Sequence, residues 1–519
     1  MQQRLFKEAR LLLPAWLFTL LAMAAGWLVF SGSESREVVL ILLAGGSVLV
    51  AASSFGAEFN HRTFIQLLVQ PVDRRRIWFE KMLVLGAALA PVVLVLLLDR
   101  LGFGRGGPFK GLLCVVPLCA FCATPFLTLL FRSAIAGVVF SLAIPLLIWL
   151  GGGALVIALI KLGVLQEAPG GAIFDDVLLF RFLTGYFVLA FVGYCGGFYW
   201  LGYRKFRNLE VLDGPAAGNG LGVFLERPFQ RLLHACLPER SGPFTALLRK
   251  ELKLQQPTFL VCAAFVLVEA MVVSYLRLFQ PSLGDVYFML PMILYCGFVP
   301  LTVGAIAVAE ERNFGVLAWH LTLPISARAQ WRIKMLVSLG VSLILGVVVP
   351  CAVIGIGHAL YPPLPALGSM EFWPSFFICL AEALATALAL YASSLSNNSL
   401  QAIILGAGLA LGLGVVADLT VKGGAWLGPV LASALGLNDH YSYGWSLALG
   451  HEEPFALMAL GLGMVMVLAT LLGCAFGNYR RSELDRRALW RHAGVVLIPG
   501  VCFVWATTAF LETVYWRFK

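Results

Sequence analysis

The side chains best suited to chemistry in this sequence are a few acids set among apolar residues. Glu269 and Glu382 lie inside long apolar runs, while Glu58 and Glu311 each open a polar stretch between two such runs. A carboxyl group within hydrocarbon is costly unless it faces water or a partner. Glu269 and Glu382 are therefore candidates for contact with a cationic or hydrogen-bonding part of a transported molecule. The alternative is structural glue, a carboxyl bonded to a neighbouring helix. Counted along their helices, both acids fall about 10 to 12 Å below the outer surface, at about 1.5 Å per residue. Covalent catalysis has no comparable support. His61, His234, His320, His358, His440, His451 and His492 show no metal-ligand spacing, no nucleophile constellation stands out, and no GxxxxGK[ST] phosphate loop occurs.

Glu58 and Glu311 belong to a repeat. Residues 58–83, EFNHRTFIQLLVQPVDRRRIWFEKML, align without a gap with 311–336, ERNFGVLAWHLTLPISARAQWRIKML, with nine of 26 positions identical. Unrelated sequence would share about one or two. The repeat extends upstream: FKEARLLLP ending at Pro14 is echoed by RKELKLQQP ending at Pro257, with Lys7/Lys250 and Glu8/Glu251 in step. This echo argues against reading the basic, apolar and AMAA-containing residues 1–25 as a cleaved secretory signal. Each copy is expected to lie on the inner surface as an amphipathic helix leading into the first span.

The elements that must position these residues are membrane helices. At 60% hydrophobic and 13% charged over 519 residues, the chain has too much apolar surface for a water-soluble fold to hide. Apolar runs of span length fall near 13–30, 38–57, 82–98, 111–131, 133–160 and 179–202, and again near 257–276, 286–309, 335–357, 374–394, 400–418 and 455–477. The expected fold is an all-α polytopic membrane protein with two repeated six-helix halves, 1–207 and 248–490, joined by a cytoplasmic linker at 208–247. A thirteenth span and an interfacial helix both fit the apolar run 493–511 within the remaining segment 491–519. With the N-terminus inside, 27 of the 37 Lys and Arg residues fall on the cytoplasmic side. That explains the net charge of +9 as membrane orientation and removes nucleic acid as a partner. The eleven cysteines sit mostly in apolar runs, as packing residues do, without a disulfide framework or a metal site.

The repeated stretch resembles the cytoplasmic segment of ABC-2-type ABC transporter permeases. In the second copy the matching residues are Glu311, Gly315, Leu317, Leu321, Pro324, Ser326, Arg328 and Lys334. The first copy matches with Glu58, Thr63, Leu67, Leu68, Pro71, Arg74 or Arg75, and Lys81, but has Arg62 where the family has Gly and Asp73 in place of Ser326. The resemblance implies a permease of an ATP-driven exporter with both six-helix units in one chain, in the plasma membrane (the inner membrane of a prokaryote). It implies ATPase coupling through Glu58, Arg62, Leu68, Pro71 and Arg75 and through Glu311, Gly315, Leu321, Pro324 and Arg328. ATP and Mg would sit on two copies of a separate ATPase subunit, with no cofactor on this chain and no enzyme activity of its own. Docking needs an apolar face in a polar segment, which Leu317, Leu321 and Trp319 would supply before Pro324 ends the helix. On this reading Glu58→Lys and Glu311→Lys disturb docking and leave the membrane fold intact. The competing classes are a secondary transporter of repeated-half architecture and a membrane scaffold that moves nothing. The substrate is not specified by the sequence.

Overall fold

In hydrocarbon a backbone N–H or C=O has no water to bond, so an apolar run long enough to span must close its own hydrogen bonds as a helix. The computed structural model describes residues 2–29, 33–60, 71–102, 108–131, 133–161, 176–208, 242–279, 284–313, 315–317, 325–362, 372–415 and 454–481, with the single positions 66, 69, 231, 364, 492 and 495. These residues are helical almost throughout. The first six helices are α1 (Gln2–Val29), α2 (Ser33–Asn60), α3 (Arg74–Gly102), α4 (Pro108–Phe131), α5 (Ala134–Lys161) and α6 (Asp176–Arg207). Then follow α7 (Pro243–Leu254), α8 (Gln256–Phe279), α9 (Gly284–Asn313) and α10 (Ala327–Leu343), which continues through a π-helical turn, Ile344–Val348, into α11 (Val349–Leu360). The last are α12 (Phe372–Ser394), α13 (Ser399–Val415) and α14 (Pro454–Tyr479).

Among the described residues nine helices are long and apolar enough to cross a membrane. Shorter apolar helices, Val115–Phe131, Ala134–Pro145 and Ser399–Val415, fall at the fourth, fifth and eleventh expected spans. The run 493–511, apart from position 495, and most of the linker 208–247 lie outside the described residues.

One expectation needs correcting. A separate amphipathic leading helix exists only in the second copy, where α7 ends at a turn on Gln255 before α8 begins. The side chain of Gln255 holds that break: its amide donates to the Val303 carbonyl at 3.1 Å and its oxygen accepts from Thr258 Oγ1 at 3.2 Å. The aligned residue in the first copy is Leu12, which is buried in an apolar cluster and offers no polar atom for such a turn, and α1 runs on unbroken through Pro14.

The N-terminal and C-terminal helices share one bundle. Val139, Ala143 and Leu147 of α5 pack on the cluster of Val261, Phe265 and Val268 of α8, while Phe298 and Ile404 pack on the cluster around Val48 and Phe55 of α2. Small residues set the closest crossings, as van der Waals packing between membrane helices requires. A Cβ at Gly56 would lie 2.6 Å from that of Ala134.

Candidate functional site

The charges shared by the two sequence copies come together as two buried ionic nodes, each built on one lysine between two carboxylates. In the first, Lys81 Nζ at the start of α3 donates to Glu8 Oε2 of α1 at 2.6 Å, to the Ser54 carbonyl at 3.2 Å and to Glu58 Oε1 near the end of α2 at 3.4 Å. Lys7 bonds Glu58 Oε1 from outside at 3.1 Å. In the second, Lys334 Nζ donates to Glu251 Oε2 at 2.7 Å and to the Ala307 carbonyl at 2.7 Å, and pairs with Glu311 Oε1 at 3.1 Å. Lys250 closes this node on Glu311 and on Glu251. Ser54 and Ala307, whose carbonyls accept from the two lysines, occupy aligned positions as well.

A cation and two carboxylates taken out of water are stable only with excellent geometry and full hydrogen bonding. Both lysines meet that condition with three oxygen partners each. The mechanical consequence is that each node locks three elements together: the leading helix, the end of the second helix and the start of the third. In sequence, residues 61–73 and 314–326 fall between the second-helix acid and the lysine of each node.

Aromatic residues reinforce the same level. Trp78 packs among Phe55, Tyr199, Tyr203 and Phe206, tying the start of α3 to the end of α6. Its aligned partner Trp331 packs on Phe476 and Tyr479, and Tyr479 donates its hydroxyl proton to Gln330 Oε1 at 3.0 Å. Arg312 binds the carbonyls of Ser394 at 2.6 Å and Asn478 at 3.3 Å, which are left over at the ends of α12 and α14.

These contacts redistribute the roles of the expected coupling residues. Glu58 and Glu311 are each 1% exposed, and their carboxylates pair with the node lysines Lys81 and Lys334. Glu58→Lys or Glu311→Lys would add a buried cation beside two others, so the fold itself would bear the cost. Leu317, expected on a docking face, is buried beside Val308, Trp331 and Tyr391. Pro71, Arg75 and Arg328 are exposed and available. Arg62, Leu68, Trp319, Leu321 and Pro324 lie outside the described residues. Lys81, Lys334, Glu8 and Glu251 were visible in the sequence as identical pairs, and their signal was strict retention of charge in three separate elements of an apolar chain.

Gly315 has a backbone reason. It sits just past α9 at φ 68°, with its N–H on the Arg312 carbonyl at 2.9 Å and that of Val316 on the Glu311 carbonyl at 3.0 Å. This is the Schellman ending, in which a left-handed residue turns the chain out of the helix directly at the node. Gly315→Ala is expected to cost about 1 kcal/mol through the left-handed conformation alone, because nothing lies within 4 Å of an added Cβ. Gly315→Asn should cost less, and thermal unfolding of the two variants side by side checks the order.

Of the acids within spans, Glu269 lies on α8 and Glu382 on α12, both buried. Glu382 Oε1 accepts from Ser342 Oγ of α10 at 2.9 Å, and Ser342 accepts from Thr386 at 2.6 Å. Helices of this length and apolarity, joined by buried polar nodes, define an all-α multi-pass membrane protein. No family model matches the sequence, and comparison with curated proteins and with solved structures likewise finds no match.

Proposed function

We propose that this chain is the membrane-spanning permease of an ATP-driven exporter, worked by two copies of a separate ATPase that dock near 58–76 and 311–329 on the cytoplasmic face. The observation that carries the proposal is the pair of matched nodes. A partner pressing on either polar stretch would move three helices together, because the stretch is fastened to a buried lysine and two carboxylates that cannot yield separately. An anchor resting on a lipid surface has no use for such rigid fastening, and a coupling element depends on it. Arg75 and Arg328, exposed at the start of the third helix of each copy, are the positions that meet the partner's acidic groups.

Native mass spectrometry of the chain co-expressed with a genomically adjacent ATPase should give one permease with two ATPase subunits. Arg75→Glu and Arg328→Glu should each weaken ATPase association about tenfold or more, since reversing a charge against a complementary surface is costly, with the amount of folded permease unchanged. A stable complex holding two copies of this chain, or undiminished association in both variants, would count against the proposal. The buried acids Glu269 and Glu382 favour a second reading, a secondary transporter. Movement of substrate by the purified chain in vesicles without ATPase would select it.

A further inference from the structure

Around Glu269 the second copy departs from the first in chemistry as well as in sequence. Glu269 is 1% exposed within the apolar helix α8, and neither carboxyl oxygen has a hydrogen-bond partner among the described residues. The residue aligned with it in the first copy is Gly26. On α9, Tyr295 stacks on Phe265, one turn before Glu269, with ring centroids 3.8 Å apart, and its neighbour Cys296 faces the Gly346 backbone that lies against the Glu382 carboxyl, so both acids border the same part of α9. On the far side α10 passes through the π turn Ile344–Val348. Tyr295 donates to the Leu345 carbonyl at 3.0 Å, and Cys296 Sγ lies 3.7 Å from the Gly346 carbonyl, so side chains of α9 meet the widened backbone there. Gly346 permits this approach, because any Cβ at that position would collide with the Glu382 carboxyl. Single π turns inside α-helices recur at functional sites.

The aligned region of the first copy has none of these groups. Leu43 stands at the position of Cys296 and Pro91 at that of Ile344, and the helices there border a small, partly open cavity of about 80 Å³ lined by residues including Trp16, Thr19, Leu43 and Val92. Packing the bundle therefore does not require a carboxyl at this junction. What the second copy adds is two acids and a loosened turn of backbone, oxygen acceptors of a kind that a positive charge satisfies.

We infer that Glu269 and Glu382, backed by Ser342, Thr386 and the π turn, form an intramembrane site for a compact monovalent cation, present only in the second copy. The shared chemistry is a small positive charge, supplied either by an inorganic ion such as Na⁺ or by the primary ammonium end of a larger molecule. Two carboxyls in hydrocarbon, one without a hydrogen-bond partner among the described residues, gain most from such an occupant. The site deepens the transport reading by naming the charge of what enters, but its test needs only the purified chain, so failure of ATPase coupling would leave it standing.

The test is thermal unfolding of the purified full-length chain at constant ionic strength. One arm compares NaCl with N-methylglucamine chloride; the other compares octylammonium with octyltrimethylammonium, which carries the same charge without N–H donors. Stabilisation by Na⁺ identifies an inorganic ion, and stabilisation by octylammonium over its trimethyl counterpart identifies an amine. In either case Glu269→Gln should weaken the apparent affinity about tenfold or more, as loss of one partner of a buried charge pair does. Should Glu269→Gln not accumulate, Glu382→Gln carries the same reading. A wild-type chain indifferent to both comparisons overturns the inference, and so does a cation response that persists undiminished in these variants.

Discussion

Lys81→Met is expected to lower the stability of the purified protein by about 3–5 kcal/mol, the cost of removing one partner from a buried ionic group. Lys334→Met is expected to cost less, for a reason visible in the wiring. Removing Lys334 leaves Lys250 in contact with both Glu311 and Glu251, so each acid keeps a cation. Removing Lys81 leaves Lys7 on Glu58, while Glu8, whose side chain is 11% exposed, loses the cation that bonded it at 2.6 Å. The two nodes thus share their architecture and differ in redundancy. Adding Glu8→Gln and Glu58→Gln to Lys81→Met should recover much of the loss, because a buried ion group removed as a whole costs far less than one broken in half. Thermal and denaturant unfolding of the four proteins in one detergent decides the matter. Lys81→Met within about 1 kcal/mol of wild type would mean that the node is more hydrated than its burial indicates.

Much of the fold was legible because hydropathy reports on a single requirement, that a spanning segment be apolar over its length. The expected spans coincide with helices wherever the residues are described. What hydropathy averages away is the single residue that redirects a helix. Gln255 breaks the chain before α8 while the aligned Leu12 does not, and both sit at the edge of an apolar run where a window sees no difference. The π turn at Ile344–Val348 is equally silent, since ILGVV reads as any apolar segment and only Gly346 hints at a close approach.

At the candidate site the identities were legible and the geometry was not. Glu58 and Glu311 stood out as repeated acids, but a charge at the border of an apolar run is ordinarily solvated, so burial could be recognised only with Lys81 and Lys334 placed opposite them. Those lysines lie 23 residues further along in each copy, on the far side of a polar stretch. Proximity across such a separation comes from the antiparallel return of the chain, which spacing alone does not reveal. Glu269 and Glu382, in contrast, were conspicuous from the start because a mid-span acid needs no geometry to be noticed.

Gly304→Ala should destabilise the protein by about 1–3 kcal/mol, the ordinary cost of overpacking a close crossing. An added Cβ would lie 2.5 Å from the Thr386 carbonyl oxygen, 2.8 Å from the Leu390 nitrogen and 2.5 Å from the Ala389 Cβ. Two of those three atoms are backbone of α12, so no rotamer change makes room and the helices must separate. Separation also strains the polar contact beside the crossing, where Ser393 donates to the Ala305 carbonyl at 2.7 Å and accepts from the Ala309 N–H at 2.7 Å. The internal control is Gly297→Ala on the same helix, where nothing lies within 4 Å of the new methyl group. There the better helix propensity of alanine acts alone, and stability should be unchanged or higher by about 0.5–1 kcal/mol. Because Arg312 of α9 also holds the Ser394 carbonyl at the end of α12, the separation should propagate to the level of the second node. Hydrogen exchange at residues 305–313 should then rise in Gly304→Ala and stay at the wild-type rate in Gly297→Ala. Equal stability and equal exchange in the two variants would show that α9 and α12 can part here without cost, and would remove the close crossing as a structural constraint.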